Sequence, residues 1–220
     1  MTIQAPTFFE MSIVILARMH NPSILNPDFL RLHGIVPQEW ELVEAPLCTE
    51  PFAKVAYKCG VTVLAQFDRL IFSEQTDGDR LEHCRIPDIA AKYVETLPHV
   101  DYRAVGINPK ARIMLEGEPE VRAFLLGKFL ARGPWDELDH GKPLVSLSFA
   151  YARKGGAMNI TIQGETPSGA PPRQSLLVAS NFHHEVEPGQ DRAMQIKQIC
   201  RAWAEDVTCF SQWIAAVFSA

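Results

Sequence analysis

The sequence predicts an α+β fold, a single antiparallel and curved sheet with helices packed on one of its faces. Three observations predict it. The strand-like runs FAKVAYK, VTVLAQF and LIFSE follow one another across two-residue links, Cys59-Gly60 and Asp68-Arg69, and links that short join antiparallel neighbours. The order of elements recurs, β-α-β-β-β-β-α over residues 1–98 and β-α-β-β-β-α over residues 99–220, as tandem halves sharing one sheet would require. The chain then closes on a long amphipathic helix able to cover a sheet face.

The elements can be justified in order. SIVILAR (12–18) is a short β-branched run, read as a buried strand. A short helix follows, with Asn26 to cap it, Pro27 at its first position and Gly34 as its stop. WELVEA is expected to be a strand ahead of the three-strand meander. Pro87 and Asp88 open the next helix, whose inner stripe is Ile89, Tyr93, Val94 and Leu97. VDYRAVGI and KARIML read as one long strand, broken or bulged at Asn108-Pro109 because proline cannot donate to a ladder. Glu118, Pro119 and Glu120 start a helix that runs to Gly133, with Arg132 at its negative end. Three further strands, LVSLSFAYAR, AMNITIQ and QSLLVASNFHHEV, precede a helix that begins near Asp191. Along it Ile196, Cys200, Trp203, Val207, Phe210, Ile214 and Val217 are spaced four and three apart, one apolar seam over ~30 Å.

This order of elements resembles the saddle of the TATA-binding protein, and the long closing helix is similar to that of helix-grip proteins. The likeness is one of topology. A DNA-binding saddle implies a basic concave face, whereas this chain carries a net charge of -5. The deficit lies up to residue 98, where 8 Lys/Arg stand against 13 Asp/Glu. Neither half has the basic excess that a phosphate backbone needs, so nucleic acid is a disfavoured partner. Clustering of Arg103, Arg112, Arg153, Lys154 and Arg173 on one face would reverse that expectation.

The five cysteines (48, 59, 84, 200, 209) are scattered and contain no C-x-x-C pair, which predicts neither a zinc ribbon nor a disulfide framework, and a reducing, cytoplasmic setting. No stretch approaches ~20 uninterrupted apolar residues, so no membrane span is expected. Glycine patterns for a dinucleotide or phosphate loop, and the G-x-S-x-G elbow, are absent from the sequence. Neither a cofactor nor a metal is expected.

The stretch FHHE (182–185) bears most on chemistry. Strand alternation puts His184 on the more apolar face with Phe182 and Val186, packed under a helix or at the sheet margin, and His183 with Glu185 on the other. The two histidines cannot share one metal from a regular strand. His183 and Glu185 suit a metal or an acid/base pair, but such a site needs a third group, and a solvated sheet face accounts for them as well. Asp101 and Arg103 are candidates for a polar ligand, or a plain cross-strand ion pair. His83 and Cys84 raise the thought of a thiol beside a base; Arg85 would lower the thiol's pKa, although an exposed loop is the simpler account.

The sequence therefore predicts a non-catalytic domain that binds a ligand or a protein. An apolar small molecule held between sheet and long helix, or a second copy of the chain in a homodimer, are its expected partners. The alternative is an enzyme, such as a metal-dependent hydrolase, working from the polar face of the strand at 174–186.

Overall fold

The computed structural model describes residues 4–76, 78, 81–115, 121–131, 133, 145–165, 174–188 and 191–218. The described chain is α+β, with nine strands in one antiparallel sheet. β1 (Thr7–Ala17) leads through α1 (Pro27–Leu32) to β2 (Leu47–Cys48), β3 (Phe52–Ala56), β4 (Val61–Gln66) and β5 (Arg69–Gln75). α2 (Ile86–Thr96), β6 (Tyr102–Met114) and α3 (Val121–Phe129) come next, then β7 (Ser146–Arg153), β8 (Gly156–Gly164) and β9 (Ser175–Glu185), and finally α4 (Arg192–Arg201) and α5 (Trp203–Phe218). The strand order is β2-β3-β4-β5-β1-β6-β9-β8-β7, so β1 and β6 pair at the centre.

Strand alternation separates the faces. Met11, Ile13, Ile15, Val55, Val63, Phe72, Ile107, Val178 and Ile160 are fully buried and all point to one side. α4 packs against α2 and β6 on that side, and Phe210 of α5 meets Phe8 edge to face at 6.0 Å. Their neighbours in the strands, such as Ser12, Val14, Lys54 and Leu64, remain half-exposed on the other.

Local chemistry explains the termini. The Asn26 side chain accepts from the Phe29 N–H at 2.8 Å and Pro27 begins α1, as its sequence requires. Asp191 caps α4 in the same way through the Met194 N–H. In the β7–β8 hairpin Gly155 adopts φ +75°. A Cβ on the next residue, Gly156, would lie 1.8 Å from the His183 carbonyl oxygen, so only glycine lets β8 approach β9 there.

Three expectations are corrected. WELVEA is no strand: it contributes one bridge, Leu42 to Tyr57, and the edge strand β2 follows it. β6 runs through Asn108-Pro109 without a register shift against β1; the shifts lie at Phe8/Glu10 and Leu16/Ala17. Proline is accommodated because the β6–β9 ladder passes from Ile107↔Phe182 to Lys110↔Ala179, and the Ser180 hydroxyl donates to the Pro109 carbonyl at 3.2 Å. The closing helix is two helices, parted at Ala202, whose N–H is shared between the carbonyls of Gln198 and Ile199. The break lets α4 lie on α2 while α5 turns toward β7 and β9, where its Asp206 is held. The expected start of α3 at residues 118–120, Arg132 and the loops at 134–144 and 166–173 lie outside the described residues.

Candidate functional site

The residues singled out from sequence do not converge. His183 and Glu185 do share the half-exposed face, opposite Gly106 and Ala104 of β6. Among the described residues no group of three His, Cys, Asp or Glu is placed to hold a metal ion. Asp101 pairs with Arg192 at the start of α4. Arg103 is the extra residue where the β1–β6 register shifts, and it is exposed. These two form no pair with each other among the described residues, since the Asp101 carboxylate is taken by Arg192. The basic residues are also dispersed. Arg112 is bound by Glu165 at 2.5 Å, Arg153 by Asp206 on the helix side, and Arg173 lies outside the described residues.

His184 does pack under a helix. Its Nε2 lies 2.6 Å from Asp206 Oδ2, and the other oxygen of that buried carboxylate accepts from Arg153 Nη1 at 2.8 Å. Arg153 in turn lies 5.2 Å over the Phe182 ring. Three charged or polar groups thus tie α5 to β7 and β9, and their bonding capacity toward one another is used up in structure.

Cys84 is corrected in its environment. It is half-buried rather than in an open loop, and its thiol lies 3.4 Å from Glu74 Oε2. Burial first, and then the Glu74 carboxylate, push the thiol well above the usual thiol range. Arg85 does not offset this, because its guanidinium is held by Glu74. A thiol so disfavoured as thiolate is a poor nucleophile.

A cleft of about 620 Å³ opens where the end of β1, the β4–β5 turn and the C-terminal part of α2 meet. Met19, Ile24, Phe67, Leu97 and Val100 give it apolar walls. Met19 and Phe67 are 67% and 45% exposed, unusually high for large apolar side chains, and they flank the opening. Two deeply buried polar side chains line it, His20 at 4% exposure and Tyr93 at 2%.

Local structure explains how each arrives there. Tyr93 belongs to the inner stripe of α2, and its ring is fixed edge to face between Phe29 and Phe72 at 6.0 and 5.7 Å. Its hydroxyl makes no hydrogen bond among the described residues, although burial keeps it a protonated phenol by raising its pKa. The His20 backbone N–H donates to the Phe67 carbonyl at 2.7 Å, tying β1's end to the β4–β5 turn. Its Nε2 lies 3.2 Å from the Ile15 carbonyl oxygen, which only accepts, so Nε2 carries the proton and Nδ1 is left with its lone pair. Burial pulls the His20 pKa down, outweighing the Ile15 carbonyl and Asp68, and the ring is neutral at pH 7.

A second groove of about 600 Å³ runs beside Trp40, Arg85, Asp88, Lys92 and Arg201. Of its charged groups Arg85 is paired with Glu74 and Lys92 with Glu95. Sequence reading passed over the first cleft because Tyr93 fits an apolar stripe without comment, and His20 sits in a loop. The cleft lies beside α2, not beside α4 or α5.

No protein-family model matches the chain. Among curated proteins it is similar to an NAD-dependent protein deacylase of Pseudomonas putida, 32% identical over 112 residues, 44% of this chain and 41% of that protein. The chain thus spans about two fifths of the length of that relative. No described helix is long and apolar enough to cross a membrane.

Proposed function

We propose that this protein is a non-catalytic binding protein whose ligand is a small, largely apolar molecule held in the Tyr93 cleft. The observation that carries the reading is Tyr93, a side chain 2% exposed whose hydroxyl has no hydrogen-bond partner among the described residues, on the wall of a cleft with apolar sides. A ligand that accepts from or donates to Tyr93 supplies the partner that the described residues do not. The cleft volume falls in the range of small-molecule sites, roughly 300–1,000 Å³. The pairing of β1 with β6 at the sheet centre, with each half's other strands ordered outward from it, supports reading residues 1–98 and 99–220 as a duplicated, saddle-like pair.

Two variants test the reading. Tyr93→Phe loses no protein hydrogen bond, so stability in a urea titration is expected to stay level or rise by up to about 1 kcal/mol. Val100→Trp fills the cleft, and is expected to abolish uptake of the uncharged dye Nile red by the folded protein. Dye uptake unaffected by Val100→Trp would falsify the cleft as the binding site.

The second reading is an enzyme, favoured by the match to a protein named as an NAD-dependent deacylase. In it, His183 and Glu185 on the 174–186 strand serve as acid and base. The described strand pairs are all antiparallel, and the sequence lacks the glycine-rich turn between strand and helix, so the usual dinucleotide seat is not among them. Calorimetric titration with NAD is expected to show no saturable binding; saturable binding weakened by His183→Ala would put the enzyme first.

A further inference from the structure

We infer that β7 is an interface strand, pairing antiparallel with β7 of a second copy of this chain and so continuing the sheet across a two-fold axis. None of the residues lining the Tyr93 cleft takes part. The two edges of the sheet are finished differently. β2 is two residues long and lies between Pro46 and Pro51, so it offers almost no ladder to a neighbour. β7 is eight residues long and pairs with β8 without a break from Ser146↔Gln163 to Arg153↔Gly156. Nothing on it guards the edge: it has no proline and no bulge, and its one charge, Arg153, is bound at 2.8 Å by Asp206. In an antiparallel strand alternate residues aim both N–H and C=O away from the neighbour. Among the described residues those groups of β7 have no backbone partner on the side away from β8.

The side chains beside the edge identify the occupant. Leu147, Phe149 and Tyr151 face the helices, opposite Ile162, Ile160 and Met158 of β8. The Phe149 ring lies 6.0 Å from Phe129 and 5.6 Å from Trp213, whose Nε1 donates to the Tyr151 hydroxyl at 3.0 Å. This aromatic ledge is only partly covered: Tyr151 and Leu130, which follows Phe129, are each 39% exposed. On the other face Ser146, Ser148, Ala150 and Ala152 are small, uncharged and exposed. A strand of this composition is complementary to itself. About an axis through Ala150, perpendicular to the sheet, Phe149 of one copy lies opposite Tyr151 of the other and Ser148 opposite Ala152, with no like charges face to face. The same axis keeps both helix layers on one side, so ledge meets ledge. A strand pair of ~27 Å then gains apolar burial that a bare edge contact lacks.

Sedimentation velocity of the full chain at about 1 and about 100 μM, paired with hydrogen exchange at both concentrations, tests the interface. The expected result is a shift from monomer to dimer, with exchange of β7 amides slowed at the higher concentration while β2 and α2 are unchanged. Ser148→Lys with Ala150→Lys sets ammonium groups opposite one another at positions exposed in the single chain, and is expected to weaken the dimer by about tenfold or more. Leu47→Lys puts the same charge on the other, exposed edge and is expected to leave the dimer intact. A chain monomeric at both concentrations overturns the proposal and leaves the edge to an extended segment of another protein. A dimer that forms with β7 exchange unchanged, or that the double lysine variant does not weaken, places the contact elsewhere and overturns it equally. The exchange comparison uses the unaltered chain, so it decides the matter even where the double variant fails to fold.

Discussion

Glu74→Ala is expected to destabilise the protein by about 3–5 kcal/mol, the combined cost of orphaning two helix-opening backbone donors and a partly exposed guanidinium. Glu74 ends the inward-facing series Leu70, Phe72, Glu74 on β5 and is 4% exposed. Its carboxylate accepts from the backbone N–H groups of Arg85 and Ile86 at 2.7 and 3.3 Å, and from Arg85 Nε at 2.7 Å. These N–H groups open α2, whose own capping residue, Arg85, supplies no side-chain cap. A strand residue thus does the work of an N-cap, and its negative charge lies at the positive end of the helix. Removing it orphans two backbone donors and frees a guanidinium that otherwise lies 5.0 Å over Trp40 and reaches the Cys59 carbonyl. Glu74→Gln keeps an acceptor without the charge and is expected to recover roughly half of the loss. Because α2 also positions Tyr93, amide exchange in α2 should rise in Glu74→Ala and binding in the cleft should weaken with it. A urea-derived loss below about 1 kcal/mol would show that α2 is held by apolar packing alone.

Asp206→Ala should cost about 2–4 kcal/mol. The aspartate is 3% exposed and bonds both His184 and Arg153. The estimate sits below that for Glu74 because Asp206 bonds two partly exposed side chains and caps no helix, whereas Glu74 also accepts from two backbone N–H groups that open α2. Asp206→Asn retains a hydrogen-bonding group and is expected to fall between the two. Since the pair ties α5 to β7 and β9, amide protection should drop along α5 while α2 and α4 stay protected. Equal loss in all three helices would mean that the network holds the whole helical layer and not one helix.

Both carboxylates were visible in the sequence in a way that the search for motifs overlooked. Glu74 falls on the inward parity of LIFSE, and Asp206 stands inside the closing apolar stripe, three residues after Trp203 and four before Phe210. An acid on a buried face must be paired, so parity alone marks each as bonded. What parity does not provide is the partner, which comes from another element: Arg85 from the start of α2, Arg153 and His184 from β7 and β9. FHHE drew attention by residue type, and only the alternation of its side chains proved informative. His184 went to the helices and His183 to the half-exposed face.

The sequence by itself determined the fold class and most of the elements. Two-residue links impose antiparallel neighbours, Asn26, Pro27 and Asp191 start helices, and alternation assigns each strand its buried side, because all of these depend on residues close in the chain. Only the tertiary structure decided that β1 and β6 meet at the centre, that the closing helix breaks at Ala202, that Pro109 passes through a central strand, and that Tyr93 and His20 line one cleft. Each of these depends on groups far apart in sequence competing for the same space and the same hydrogen bonds. The Tyr93 hydroxyl is the sharpest case: its helix stripe was legible, but whether that oxygen finds a partner is settled by what the rest of the chain leaves beside it.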